Sequence, residues 1–267
     1  MGKDRQIDVT VLGSGTSQGV PVIGCQCEVC QSKNPKDKRL RSSIMFSYGK
    51  ENFVVDTGPD FRQQMLREDV RSLRAVLYTH SHKDHIAGMD DVRSFNFLEK
   101  RDMELYCNTD VEEALKREFY YAFEANKYPG VPNVNINLID TEPFQLPDGP
   151  RVLPILVYHY KMPVFGFRIG DFAYLTDVKS IPQKEFEKLR GVKYLILDCL
   201  RERPHLSHLN VEEALDIVDA LSPEQTYLTH ISHLFDTHEN IEEKLPKSVS
   251  PAYDGLKLSF VYNSDEN

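Results

Sequence analysis

The run HSHKDH at residues 80–85 concentrates metal-binding side chains at one point of the chain. It contains three of the nine histidines of the protein together with an aspartate. In a loop, residues two apart diverge and later ones fold back, so His80 and His82 can serve one metal ion while Asp84 and His85 serve a second. Imidazole and carboxylate donors suit zinc, manganese or iron. The spacing therefore predicts the dinuclear metal centre of a hydrolase.

A dinuclear centre also needs ligands from distant segments, and several apolar, β-branched runs end on a histidine or an aspartate. A strand end is a rigid platform for a side chain that projects into a loop-lined site. We expect His159, Asp177 and His230 to complete the two metal sites, because an aspartate between two ions can bridge them. The residues that end predicted strands are Asp56, His80, His159, Asp177, Asp198 and His230.

Two amphipathic helices are predicted among these strands. One is expected after a capping box at residues 109–112, with apolar residues on one face. The other should begin at Asn210, with Glu213 three residues later, and end at Ser222. A strand-rich chain with helices of this kind predicts an α/β fold in which helices pack outside the sheets.

Composition limits the classes of function. The 267 residues carry a net charge of −9 and include no linker-like stretch, which favours a single domain over residues 1–267. We expect a cytoplasmic protein, because neither a secretory segment nor a run of about 20 apolar residues is present. The basic residues are scattered, which disfavours nucleic acid as a partner and favours a small substrate.

A second cluster of candidate ligands lies near the start of the chain. Cys25, Cys27 and Cys30 occur in GCQCEVC, within an odd total of five cysteines. In a reducing compartment this spacing favours a metal site over disulfides, although a redox or incidental thiol group is the alternative. His233 in THISH could supply a fourth ligand. A closed Cys₃His set predicts a structural zinc ion.

The order of these motifs resembles the metallo-β-lactamase fold, whose motif is H-x-H-x-D-H, over the whole chain. The resemblance implies an αββα sandwich, and it implies that Asp56 in VVDTG supports the ligand loops without binding metal. It assigns the first metal to His80, His82 and His159. It assigns the second metal to Asp84, His85 and His230, with Asp177 as the bridge.

The segments GxxQGVPxxGCxCxxC and THISHxFD resemble one branch of that fold family, the PhnP-type phosphodiesterases of the carbon–phosphorus lyase pathway, which cleave phosphoribosyl cyclic phosphate. This resemblance implies two divalent catalytic metals, manganese or zinc, and one structural zinc. It also implies a small phosphodiester substrate, and it makes a homodimer a candidate assembly because the branch is often dimeric. Residues 95–137 follow the branch less closely, and we expect a helical, aromatic insertion there.

His208, in HLSHLN, is the candidate proton donor, because it precedes His230 by 22 residues as in phosphodiesterases of this family. There, the resembling histidine contacts phosphate and protonates the leaving oxygen. His205 is its rival, and a solvent-facing histidine at a helix start is the other interpretation. The predicted reaction is attack by a metal-bridged hydroxide that Asp84 orients. His238 is expected at the surface.

Three other functions share this fold. A tRNA-processing endonuclease uses the same ligands but needs a basic surface. A thioester or lactam hydrolase is less consistent with the HLSHLN element and the Cys₃His set. A non-enzymatic binding protein of cofactor biosynthesis shares the cysteine cluster, but in this chain every catalytic ligand position is filled.

Overall fold

The computed structural model describes residues 5–263. Within them the strands form two sheets of seven strands each, in the orders β14-β1-β2-β3-β4-β5-β6 and β13-β12-β11-β10-β9-β8-β7. The strands are β1 Arg5–Gly13, β2 Ser43–Tyr48, β3 Glu51–Val55, β4 Ala75–Leu77, β5 Met103–Cys107, β6 Val134–Leu138, β7 Phe144–Gln145, β8 Arg151–His159, β9 Met162–Ile169, β10 Phe172–Leu175, β11 Tyr194–Asp198, β12 Gln225–Thr229, β13 Val249–Pro251 and β14 Lys257–Tyr262. The helices are α1 Glu28–Gln31, α2 Phe61–Arg67, α3 Lys83–Ile86, α4 Arg93–Glu99, α5 Thr109–Glu118, α6 Gln183–Glu187, α7 Val211–Leu221 and α8 His238–Lys244.

Three apolar cores separate the layers. The central core joins side chains of both sheets, such as Phe46 and Phe53 with Phe167 and Tyr174. A second core lies between the first sheet and α2, α4 and α5, and a third lies between the second sheet and α6, α7 and α8. The layers are therefore helix, sheet, sheet and helix, as the αββα prediction requires.

The caps show how far local sequence determines the helices. Helix α7 begins with the expected capping box, since the Asn210 side chain accepts from the Glu213 amide and Glu213 accepts from the Asn210 amide. Helix α5 is capped one residue earlier than expected, because Asn108 accepts from the amide of Val111 and Thr109 is already helical. Both residue types can cap a helix, so the pattern alone does not decide between them.

The strand ends that carry candidate ligands meet at one edge of the molecule. Strands β3 and β4 are parallel in the first sheet, and β10, β11 and β12 are parallel in the second. The carboxyl ends of parallel strands lie at the same edge of a sheet, so side chains that follow these strands lie close together. Ligand-binding sites of α/β proteins are commonly found at this edge. Asp56, Asp177 and His230 each follow one of these strands with a left-handed backbone, at φ 66°, 56° and 59°. Such strained residues cluster at functional sites.

Two regions differ from the sequence-based expectation. Residues 95–137 contain α5, but they also contain β5 and most of β6, which extend the first sheet. The prediction that His238 is a surface residue is wrong, because its side chain is 1% exposed. The Arg39 guanidinium bonds its Nδ1 at 3.3 Å and the Tyr253 ring covers it edge-on. No helix in residues 5–263 is long and apolar enough to cross a membrane.

Candidate metal centres

Asp177 stands between the two halves of the predicted dinuclear centre. On one side, His85 Nε2 is 3.2 Å from Asp177 Oδ2 and 3.1 Å from Asp84 Oδ2. His230 Nε2 lies 3.4 Å from Asp177 Oδ1 and 3.9 Å from Asp84 Oδ2. The structure thus brings together the four residues expected at the second metal.

The first metal site is more open. His80 Nε2 is 3.9 Å from Asp177 Oδ1, and the ligand atoms of His80, His82 and Asp177 lie within 4.8 Å of one another. His159 joins this group less tightly, since its ring centroid is 5.3 Å from that of His82 and 6.1 Å from that of His80. It groups with Asp177 and His208. His82 is exposed, so this half of the centre faces solvent.

Several ring nitrogens at the centre are buried without a hydrogen-bond partner among the described residues: His80 Nε2, His85 Nε2 and both nitrogens of His230. A buried polar atom without a partner is costly and needs an explanation. Imidazole and carboxylate atoms bound at about 2.1 Å to one ion lie within about 4 Å of each other. The distances of 3.1–3.9 Å from His80, His85 and His230 to the carboxylates of Asp84 and Asp177 agree with this spacing. The donor set therefore fits a pair of divalent metal ions.

The carboxylates dominate the electrostatics of the second half. Burial lowers the pKa of His85, but the charges of Asp177, Asp56 and Asp84 outweigh it and raise the pKa well above its usual value. Burial also opposes the rise at His230, where Asp177 brings the pKa to about 9. These anions draw protons onto the rings, and a bound cation would take the place of those protons.

The pKa values of the histidines in the first half shift in the opposite direction. Burial lowers the pKa of His80 well below its usual value, and it lowers that of His159 to about 4. Both rings are therefore neutral near pH 7, the form that binds metal. Such ligands lose no proton when a metal binds at neutral pH.

Hydrogen bonds behind the ligands fix their tautomers. Asp56 accepts from the amide and hydroxyl of Thr79, both at 2.8 Å, and Asp56 Oδ2 lies 2.7 Å from His85 Nδ1. Thr79 Oγ1 is 2.9 Å from His80 Nδ1. Because Nδ1 is engaged in both rings, Nε2 is left to face the centre. Asp56 lies behind the ligands, as the resemblance implied.

The candidate proton donor has a carboxylate partner that the sequence did not identify. Asp198 Oδ1 is 3.2 Å from His208 Nδ1, and its Oδ2 accepts from the Leu209 amide at 3.1 Å. The same carboxylate is 3.6 Å from His230 Nδ1 and accepts from the Asp177 amide at 3.2 Å. Its strand-end position was the available signal, but its partners come from other segments.

His208 and His205 occupy different environments. The His208 ring lies 4.4 Å from the His159 ring and 4.6 Å from the His230 ring, and His208 is 7% exposed. His205 is more exposed, and its Nδ1 accepts from the Ser207 amide at 3.3 Å. The alternative interpretation of His208 as a solvent-facing histidine at a helix start is therefore wrong.

The cysteine cluster assembles as expected. His233 Nδ1 lies 3.3 Å from Cys25 Sγ and 3.4 Å from Cys27 Sγ. Cys30 completes a set of four donors within 4.8 Å of one another. The cysteines are not disulfide-bonded. Three sulfurs and one imidazole fit a tetrahedral zinc ion.

Comparisons with known proteins identify the family of the fold. A family model described as the β-lactamase superfamily domain matches residues 51–231. A crystal structure described as a new diphosphatase from the PhnP family superposes with a TM-score of 0.91 and 41% identity, over 97% of this chain and 99% of that one. Zinc-bound PqqB from Methylobacterium extorquens shares the fold at a TM-score of 0.74 and 21% identity, over 94% of this chain and 99% of that one.

A curated relative has a different name. An octanoyltransferase of Porphyromonas gingivalis is 38% identical over 250 residues, which are 92% of this chain. The chain spans half the length of that relative. Given the matched domain, the site geometry and the near-complete superposition, the chain belongs to the β-lactamase superfamily and, within it, to the PhnP family.

Proposed function

We propose that this protein is a metal-dependent hydrolase that cleaves a small phosphodiester, cyclic substrates included. The observation that carries the proposal is the placement of Asp177 between two sets of metal-ligand donors, with His208 beside both sets. When bound, two divalent ions supply a hydroxide nucleophile near neutral pH and neutralise charge on the phosphoryl oxygens. Manganese or zinc suits the mixed imidazole and carboxylate donors.

The protein's own groups then position the reactants. Asp84 is partly accessible, with 13% of its side chain exposed, and its Oδ2 can accept a hydrogen bond from the attacking water. Asp177 contributes its carboxylate to both donor sets. Its Oδ2 accepts from the Thr176 hydroxyl at 2.8 Å, which restrains its rotation.

His208 is proposed to protonate the leaving oxygen. Asp198 engages its Nδ1 at 3.2 Å, which leaves Nε2 as the nitrogen that donates. A donor held by a carboxylate in this way is typical of general acid catalysis. Among the described residues, His205 Nδ1 contacts the amide and hydroxyl of Ser207 and no carboxylate, so His208 is the better candidate.

The relative named as a diphosphatase supports hydrolysis at phosphorus. The relative named as an octanoyltransferase makes thioester hydrolysis a second candidate function. The match covers only half of that relative's length. The cleft beside His80 and Ser81 argues against an acyl tail, because Asn108, Asp110 and Glu113 line it. An eight-carbon chain would require an apolar lining.

A direct substrate comparison tests the proposal. We expect the manganese- or zinc-loaded protein to hydrolyse bis(4-nitrophenyl) phosphate, with little activity on octanoyl-coenzyme A or nitrocefin and no shift of tRNA in a gel. Asp84→Ala and His85→Ala should abolish turnover while circular dichroism stays unchanged. Activity that survives both substitutions would exclude the dinuclear centre, and faster thioester cleavage would favour the second candidate.

We propose a separate, structural role for the cysteine cluster. Its zinc ion would join residues 25–30 to His233, three residues after the ligand His230. Metal analysis of the purified protein should then give three ions per chain, two exchangeable and one retained. A homodimer and a cytoplasmic location remain predictions.

A further inference from the structure

The segment that follows Asp177 is paired through its backbone with the segment that carries another candidate ligand. The amides of Lys179 and Ser180 donate to the Tyr158 carbonyl at 2.7 and 3.2 Å, and the Tyr158 amide donates to the Ser180 carbonyl at 2.9 Å. Lys179 comes two residues after Asp177, and Tyr158 directly precedes His159. The backbone of Lys179 therefore fixes the end of one ligand segment against the end of the other.

The side chain of Lys179 reaches the segment that carries the candidate proton donor. Its Nζ donates to both carboxylate oxygens of Glu213, at 2.6 and 2.9 Å, and to the His208 carbonyl at 3.4 Å. Glu213 Oε2 also accepts from the Asn210 amide at 3.0 Å, within the capping box of α7. One ammonium group therefore connects the segment after Asp177 with the first turn of α7 and with His208 itself.

The peptide group between His208 and Leu209 is held from both sides. Its carbonyl oxygen accepts from Lys179, and its amide donates to Asp198 Oδ2 at 3.1 Å. In a planar trans peptide these two groups point in opposite directions, so the ammonium and the carboxylate together oppose rotation of the peptide plane. Residues 199–210, which connect β11 to α7, contain neither a helix nor a strand of the two sheets. The position of His208 therefore depends on such contacts.

The side chains of Lys179 and Glu213 are 25% and 38% exposed, and an ion pair so close to solvent contributes at most about 1 kcal/mol to stability. A displacement of about 1 Å at a catalytic group, by contrast, can reduce the rate about 100-fold. We propose that Lys179 is a positioning residue, which holds His208 in the place from which it protonates the leaving oxygen. The proposal rests on the phosphodiesterase function proposed above.

Two substrates with different leaving groups test this role. Lys179→Met removes the ammonium group and keeps the backbone bonds to Tyr158. With thymidine 3′,5′-cyclic phosphate, which releases an alkoxide, kcat should fall about 10–100-fold with little change in KM, because the proton donor is displaced. With bis(4-nitrophenyl) phosphate, whose leaving group needs no proton, the loss should be less than about threefold. The number of bound metals should stay that of wild type.

Lys188→Met is the matched control. Lys188 Nζ bonds the Glu185 carboxylate at 2.9 Å and the Thr141 carbonyl at 3.1 Å, so it makes the same kinds of contact outside the donor sets. This variant should leave the ratio of the two activities unchanged. In a His208→Ala background, Lys179→Met should cost little more activity on the cyclic substrate. Equal losses on the two substrates, no loss on the cyclic one, or a full additional loss in the double variant would each overturn the proposal.

Hydrogen–deuterium exchange separates this proposal from the proposed function. If neither ester is hydrolysed, the phosphodiesterase function fails, and peptides that cover residues 199–210 still report how firmly Lys179 holds the His208 segment. We expect these peptides to exchange several times faster in Lys179→Met than in wild type or in Lys188→Met, because local opening of the segment becomes easier. Unchanged exchange in this segment would overturn the positioning role.

Discussion

The two donor clusters of this molecule are positioned by different means. The donors around Asp177 come from the ends of strands in both sheets, and carboxylates behind them fix the rings. The cysteine donors lie on a loop whose regular structure is the four-residue helix α1. The fourth member of that donor set, His233, comes from a distant segment of the chain.

This difference predicts that the site around Asp177 is formed before metal binds, whereas the cysteine site forms only with its metal. Sheets hold the Asp177 cluster in place whether or not ions are bound, so losing a ligand there should affect chemistry more than folding. The cysteine loop has little regular structure of its own. We therefore expect the loop to become ordered when it binds its metal ion and to lose that order when the ion is removed. Each of the following variants tests one side of this contrast.

Asp177→Asn should cause the largest loss of activity. It weakens both donor sets at once, and a stabilisation of several kcal/mol by the metals corresponds to about a thousandfold in kcat/KM. We expect the circular dichroism spectrum to stay unchanged, with fewer ions per chain by metal analysis. Asp171→Asn, on the turn between β9 and β10, is the matched control. More than a tenth of wild-type activity in Asp177→Asn would refute the bridging role.

His208→Ala should cost about 10²–10⁴-fold with a substrate that releases an alkoxide, such as thymidine 3′,5′-cyclic phosphate. The loss should be far smaller with a 4-nitrophenyl ester, because nitrophenolate leaves without a proton. The number of bound metals should not change. A larger loss in His205→Ala than in His208→Ala would reverse the assignment of the proton donor.

Asp198→Asn should reduce turnover by about 10–100-fold, as loss of a residue that orients a catalytic ring does. The effect should act through His208, so Asp198→Asn should cost little more in a His208→Ala background. The pH–rate profile of the single variant should shift, a change that simple destabilisation would not give. Additive losses in the double variant would instead indicate that Asp198 acts through His230 or Asp177.

Cys27→Ser should lower stability and leave activity largely intact. We expect one zinc ion fewer per chain and a Tm lower by about 5–10 °C, the shift for a loss of about 2–3 kcal/mol. Turnover at 20 °C should be largely retained. Cys107→Ala, at a buried cysteine outside both clusters, should keep its zinc. Lost activity with intact zinc and Tm would contradict the structural role.

The sequence identifies the candidate ligands that the structure brings together, because His80, His159, Asp177 and His230 each end an apolar run and a change of composition at a strand end is visible locally. The capping box of α7 is equally local. The partners of Asp198 are not, because His208 and Asp177 approach it from separate loops. The burial of His238 was missed for the same reason, since Arg39 and Tyr253 cover it from distant segments.

The burial of His238 makes the stability of the protein depend on pH. Burial, and then the Arg39 cation, lowers the pKa of His238 to about 4 from the usual 6.5. The folded form therefore resists protonation that the unfolded chain accepts, so stability is full above pH 6.5 and declines as the pH falls toward 4. Between about pH 7 and 5, urea unfolding should show wild type losing about 2 kcal/mol more than His238→Gln. Equal losses in the two proteins would show that the pKa of His238 does not differ between the folded and the unfolded protein.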